Sequence, residues 1–177
     1  MSAEQPGILL HLKDQEWPFD GITHTRQIVR GILVDEDGYV YFVRVEREDE
    51  FGTGTFIETA GGGVEEGEDL STALLRELRE ELGADAEILG KIGVVEDDYN
   101  LIHRHNVTHY FLCKATGFGT PRPTPEETRR FRLSPLKLTY EQALSAYETA
   151  SNSRLGRLLA ARELPILRQV KVMWNIV

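Results

Sequence analysis

A chain of 177 residues, 41% hydrophobic and 28% charged, is long enough for one domain with its own core and has an ordinary globular composition. Its formal net charge of −9 opposes binding to nucleic-acid polymers and anionic membranes, so an anionic small molecule would need a local cationic centre or a metal to offset that field. The single cysteine, Cys113, excludes an intrachain disulfide, and no apolar run reaches membrane-spanning or signal-peptide length; the expectation is a cytoplasmic protein.

Residues 1–24 read as an N-terminal extension with a short strand near 8–12. Residues 25–34 and 39–46 are rich in β-branched and aromatic side chains and flank Asp35-Glu36-Asp37-Gly38, which predicts a β-hairpin. A charged loop over 47–55 leads to a short strand at 56–59, which Gly61, Gly62 and Gly63 should break. Leu70, Leu74, Leu75, Leu78 and Leu82 recur at helical spacing, and Gly83 follows where a left-handed cap is wanted, so a helix is predicted over 69–82. Strands follow at 86–95 and 107–115, then a proline-containing loop over 116–125 and one more strand at 128–133. Helices are predicted at 140–149 and 154–163; the tail from 165 to 177 is apolar but too short to assign. The strands and sparse helices indicate a single-domain mixed α/β sandwich.

The chemistry concentrates on the first helix. At 100° per residue, with Glu77 at zero, Glu81 falls at about +40° and Glu80 at about −60°, beside the stripe formed by Leu74, Leu75, Leu78 and Leu82. Like charges at i,i+3 and i,i+4 cost roughly 0.2–0.5 kcal/mol per pair, which a hard divalent cation among them would remove. A solvated acidic face is the alternative reading. Upstream, the bare backbone of Gly61 to Gly63 allows close approach of a metal or a phosphate, or merely a tight connection.

Together these residues resemble a known signature. Residues 62–84 read GGVEEGEDLSTALLRELREELGA, similar to the Nudix box Gly-x5-Glu-x7-Arg-Glu-U-x-Glu-Glu-x-Gly-U, where U is bulky or aliphatic. Gly62, Glu68, Arg76, Glu77, Leu78, Glu80, Glu81 and Gly83 fall in place, with the small Ala84 at the last position; chance alone gives seven such matches at roughly 10⁻⁸ per starting point. The resemblance to the Nudix (MutT-like) hydrolases implies an α/β/α sandwich around a mixed β-sheet, with a Nudix domain over 25–149 and a C-terminal helix and tail, 150–177, packed on it.

It also implies hydrolysis of a phosphoanhydride bond in a nucleoside diphosphate linked to another group, with Mg2+ or Mn2+ as cofactor. Glu77, Glu80 and Glu81 would ligate the metal, with the Gly62 and Gly63 backbone lining its site. Glu68 would be an accessory ligand or a salt-bridge brace, and Arg76 would orient the carboxylates. Glu80 or Glu81 could serve as general base, or a downstream loop could supply it, with Glu127 first and Glu126 next; a solvated loop is the alternative for both. The partner implied is a small-molecule nucleotide, and a homodimer stays open.

Outside the box, Tyr99 lies in a region where diadenosine-polyphosphate hydrolases tend to place a tyrosine, which suggests base stacking against the alternative of packing. The region after the box lacks the proline of ADP-ribose-specific members. His103, Arg104 and His105 are candidate phosphate contacts, as are Arg44 and Arg47 at the hairpin end. His105 and His109 share a strand face, but no cysteine or second histidine cluster supports zinc. The rival function is a nucleotide-sensing domain that does not cleave; such domains usually lose box glutamates, and this chain keeps them.

Overall fold

The computed structural model describes residues 8–174; the parts of the N-terminal extension and of the tail at 1–7 and 175–177 lie outside them. Seven strands form one mixed sheet: β1 (Ile8–Leu12), β2 (His24–Val34), β3 (Val40–Asp49), β4 (Gly52–Gly63), β5 (Ala84–Tyr99), β6 (Arg104–Phe118) and β7 (Phe131–Leu138). Four helices accompany them: α1 (Leu70–Leu82), α2 (Pro125–Arg130), α3 (Tyr140–Ala150) and α4 (Arg154–Trp174). The strand order is β1-β5-β6-β2-β4-β3-β7, with β1–β5 and β2–β6 parallel and the remaining pairs antiparallel.

The central strand β2 is covered on both faces, which is why Ile28, Val29, Ile32, Leu33 and Val34 run almost without a polar break. One face meets α1, where Val29, Leu33 and Cys113 pack with Leu74, Leu78 and Leu82. The other meets α3 and α4, where Ile32, Phe42 and Tyr110 pack with Tyr147, Leu159 and Leu167. Each such buried aliphatic side chain contributes about 1.5–3 kcal/mol. Gly31 lets α1 lie close to the sheet, since a Cβ there would meet the Leu74 and Leu78 methyls at 3.2 Å. The helix starts on Asp69, whose carboxylate accepts from the Thr72 amide, and ends on Gly83 at φ 64°. None of the described helices is long and apolar enough to cross a membrane.

Several elements differ from expectation. The hairpin over 25–46 survives only beside its turn, at Leu33↔Tyr41 and Val34↔Val40, because β4 inserts between β2 and β3. The glycine run does not break the strand at 59 but forms the last three residues of β4. Gly61 to Gly63 pair with Val29, Ile28 and Arg30 of β2, and this tertiary pairing supplies the backbone hydrogen bonds that local propensity could not foresee.

Residues 128–130 are helical. Thr124 and Glu127 form a capping box with Pro125 in the first turn, so α2 precedes β7, which begins only at Phe131. Helix α4 runs through Pro165 to Trp174 instead of ending near 163. An interior proline costs about 3 kcal/mol, but Ile166, Leu167 and Val170 beyond it are fully buried and outweigh that cost.

Candidate active site

Two elements far apart in sequence bring three carboxylates together. Glu77 and Glu81 project from α1 toward the end of β4, and the short α2 presents Glu127 opposite them; one oxygen of each lies within 4.8 Å of the others. Glu81 is fixed by the Gly61 amide, which donates to it at 2.8 Å. Glu127 spends one oxygen on its capping box, accepting from the Thr124 amide at 2.7 Å and hydroxyl at 2.9 Å. Glu77 is 5% exposed, and one of its carboxylate oxygens is buried with no hydrogen-bond donor. The backbone leaves it room: a Cβ on Gly62 would fall 2.5–2.7 Å from the Glu77 carboxylate.

Arg76 clamps this arrangement. It donates to Glu77 at 2.8 Å, to Glu80 at 3.2 Å, to the Gly63 carbonyl at 3.2 Å and to both oxygens of Glu68 at 2.9 and 3.0 Å. Glu68 also accepts from the Glu65 amide, and the Arg76 hydrogen bond holds its carboxyl below the usual range. Both of its oxygens face Arg76, and it lies outside the converging trio. Glu80 sits beside that trio, one oxygen on Arg76.

Burial and mutual repulsion push all three α1 acids upward. Desolvation is the largest influence on Glu77, Glu80 and Glu81, strongest at Glu81, and the negative charge of Glu127 adds to each. Arg76 opposes the rise at Glu77 and Glu80, and the Gly61 amide opposes it at Glu81. Such a cluster carries more negative charge than its own cations balance.

The acids form one end of a cavity of about 700 Å³ whose remaining wall is rich in arginine: Arg26, Arg30, Arg47, Arg104, Arg130 and Arg162. Most of these are neutralised internally. Glu58 pairs with Arg30 at 3.4 Å and Arg47 at 3.2 Å, and Arg47 also meets Asp49 at 2.7 Å while lying over the Phe51 and Phe131 rings. Arg162, 2% exposed, donates to Glu163 at 3.0 Å and to the Tyr99 hydroxyl at 3.1 Å.

The residues singled out beyond the helix fare unequally. Arg104 and Arg47 line the cavity, and Glu126 lies at its edge. Tyr99 lines it too, but it is only 4% exposed, packed against Phe51 with Arg104 over its ring, so it offers no open face for a base. Its hydroxyl receives Arg162, and its place is in the packing of the cavity floor.

His103 lies outside the cavity lining: at φ 52° it caps the short 3-10 turn Asn100–Ile102, its ring Nδ1 donating to the Gly21 carbonyl at 3.2 Å. His105 falls on the opposite strand face, with Asp98 at 2.7 Å and Glu96 at 3.4 Å; the Asp98 hydrogen bond raises its pKa. Arg44 is exposed and paired with Glu46 at 3.0 Å, away from the cavity. For His105 and Arg44 strand alternation decides which side chains reach the cavity, and that alternation depends on a register set by tertiary pairing; His103 is turned away by the 3-10 turn that it caps.

Sequence reasoning missed Arg26, Arg30, Glu58, Arg162 and Glu163. A signal existed in β2, where Arg26 and Arg30 interrupt the inward side of an otherwise apolar strand. Nothing comparable marks Arg162 or Glu163, adjacent in a helix whose facing partners come from β4, β5 and β6.

A family description, the NUDIX domain, matches residues 24–155. Among solved structures the chain resembles a NUDIX hydrolase from Nitrosomonas europaea at 16% identity and TM-score 0.57, over 68% of this chain and 76% of that one. It resembles the E. coli ORF135 protein in solution at 22% identity and TM-score 0.56, over 85% and 91%. A UDP-X diphosphatase aligns at 18% identity and TM-score 0.50, over 69% and 54%. No curated protein matches the sequence significantly. The structural likenesses bear on the fold alone; the family match over most of the sequence is what shows that the chain belongs to the Nudix family.

Proposed function

We propose that the protein hydrolyses a phosphoanhydride bond in a nucleoside diphosphate linked to another group, using Mg2+ or Mn2+. The observation that carries this reading is the convergence of Glu77, Glu81 and Glu127 at the end of an arginine-lined cavity. Their donor set is all hard carboxylate oxygen, which suits these ions. The buried, unpartnered oxygen of Glu77, for whose carboxylate Gly62 leaves room, fits a cation as well. Glu77, Glu81 and Glu127 would hold the metal, with Glu80 at its side and the Gly62 backbone behind it.

When bound, such a cation neutralises phosphate oxygens and lowers the pKa of water. The chain's own residues do the rest. Arg76 holds Glu77 and Glu80 in position, and the Gly61 amide holds Glu81. Glu127, with one oxygen free of its capping box, or Glu81 accepts the proton that water loses as it attacks phosphorus. The phosphorus–oxygen bond to the leaving phosphate then breaks, and the cavity arginines take up its charge. Retention of every box carboxylate disfavours a binding domain that does not cleave.

The test is phosphate or pyrophosphate release with Mg2+ across ADP-ribose, dinucleoside polyphosphates, NADH, nucleotide sugars, and normal and oxidised nucleoside triphosphates. Glu81→Gln and Glu80→Gln run in parallel. At least one substrate should turn over, and Glu81→Gln should lower kcat by about 10²-fold or more while the fold is kept. An inert wild type, or full rate in the variants, would refute the reading.

A further inference from the structure

The cavity wall contains two cations that the protein leaves without an acidic partner. Neither Arg26 nor Arg104 has a carboxylate within 4 Å among the described residues, whereas Arg30, Arg47 and Arg162 are all paired. The parallel register sets Arg26 against Asn106 and His24 against Arg104, so the two arginines are diagonal neighbours on one face of adjacent strands. Both guanidiniums line the cavity.

Each is also held in place. A Cβ on Gly63 would lie 2.8 Å from the Arg26 guanidinium, so the glycine makes room for that group against β4. Arg104 lies over the Tyr99 ring at 5.7 Å, with its Nε buried and unpartnered. Asp97, the nearest carboxylate influence on Arg104, is itself engaged by Asn106 at 3.1 Å and Arg162 at 3.8 Å.

Their order along the cavity follows from the strand order. Arg26, on β2, lies against Gly63 of the neighbouring β4, next to Gly62 and the Glu77 carboxylate that Gly62 faces. Arg104 stands on β6, across β2 from β4, and lies over Tyr99. Arg104 is thus the farther of the two from Glu77. Two adjacent, partly desolvated like charges repel each other, and desolvation followed by this repulsion lowers the pKa of Arg104 to about 10. Facing the cavity without a carboxylate of its own, such a pair can take up an anion from outside.

We propose that Arg26 and Arg104 form a subsite for a phosphate beyond the diphosphate that is cleaved. The substrate is then one with a third phosphate, either the next unit of a polyphosphate chain or a monoester on the leaving group. This rests on the hydrolase reading for the site at α1, but the anion subsite itself is independent of turnover.

The first experiment is titration of inorganic pyrophosphate into wild-type protein in EDTA by calorimetry, with Arg104→Gln, Arg26→Gln and Glu81→Gln alongside and folding checked by thermal melt. Wild type should bind, each arginine variant should weaken binding about tenfold or more, and Glu81→Gln should bind at least as tightly as wild type. Arg104→Lys, which keeps the charge, should recover part of the loss and covers the case of a misfolded Gln variant. Absence of binding by wild type, or equal binding by the arginine variants, overturns the subsite.

The second experiment uses Mg2+ and compares kcat/KM for a nucleoside tetraphosphate, a nucleoside diphosphate with a phosphomonoester on its leaving group, and a nucleotide sugar without one. Arg104→Gln should cost one of the first two about tenfold more than it costs the nucleotide sugar, and whichever responds identifies the source of the phosphate. Uniform loss on all three overturns the assignment. Binding in EDTA without hydrolysis of any substrate would leave the subsite standing and remove the hydrolase reading.

Discussion

The Gly61 amide donates to the Glu81 carboxylate at 2.8 Å, so the glycine run of β4 is fastened directly to the acidic face of α1. Gly61 has φ 153°, and a Cβ there would collide with the Val29 carbonyl of β2. Gly61→Ala should therefore destabilise the fold by more than about 1 kcal/mol in urea unfolding. It should also lower activity in the protein that remains folded, because Glu81 loses its donor. Unfolding and rates equal to wild type would show that the strand tolerates the side chain.

Metal affinity is expected to follow the trio more closely than the signature. In Mn2+ binding monitored by electron paramagnetic resonance without substrate, Glu77→Gln, Glu81→Gln and Glu127→Gln should each weaken affinity by about tenfold or more. Glu80→Gln should weaken it less, because that carboxylate is turned toward Arg76. A larger loss from Glu80→Gln than from Glu127→Gln would reverse this assignment.

A polar cluster under the cavity should be costly to break. Glu163 is fully buried and accepts from the Thr59 hydroxyl, the Tyr110 hydroxyl and Arg162. Glu163→Gln leaves the buried Arg162 with only Asp97, at 3.8 Å, as a counter-charge and should destabilise by about 3 kcal/mol, whereas Glu163→Gln combined with Arg162→Met should recover much of that. Additive losses in the double variant would mean that the two residues act separately.

Tyr99→Phe separates packing from recognition. The hydroxyl receives Arg162 and faces no solvent, so its loss should cost about 1–3 kcal/mol of stability and leave KM within a few-fold. A large rise in KM at unchanged stability would restore a substrate contact.

Stability should fall in acid partly through Asp35 at the β2–β3 turn. Desolvation tends to raise its pKa, but Lys137, the Tyr39 amide and the Tyr41 hydroxyl together hold it below the ordinary aspartate value. The contribution is present above that ordinary value and is lost as pH falls through the lower folded value. Asp35→Asn should thus be less stable than wild type near neutrality, and the gap should close at low pH. A gap independent of pH would exclude the ionic origin.

The sequence alone determined the acidic helix. Leucine spacing and Gly83 placed α1, and the Glu77, Glu80 and Glu81 pattern carried the resemblance to the Nudix family, because helical periodicity is local and each signal lies within one turn of the next. Glu127 is a candidate on sequence, but the helix that carries it is not legible there: local pattern favours a strand from 128, while the Thr124–Glu127 capping box starts α2.

Only the tertiary structure decided which charges share the cavity. Strand order put β4 between β2 and β3, parallel register set Arg26 beside Arg104, and a helix from the end of the chain delivered Arg162 and Glu163. A shift of one residue in any strand exchanges its two faces. The directions of Tyr99, His105 and Arg44 therefore depend on pairings that no local pattern contains, and that of His103 on the turn it caps.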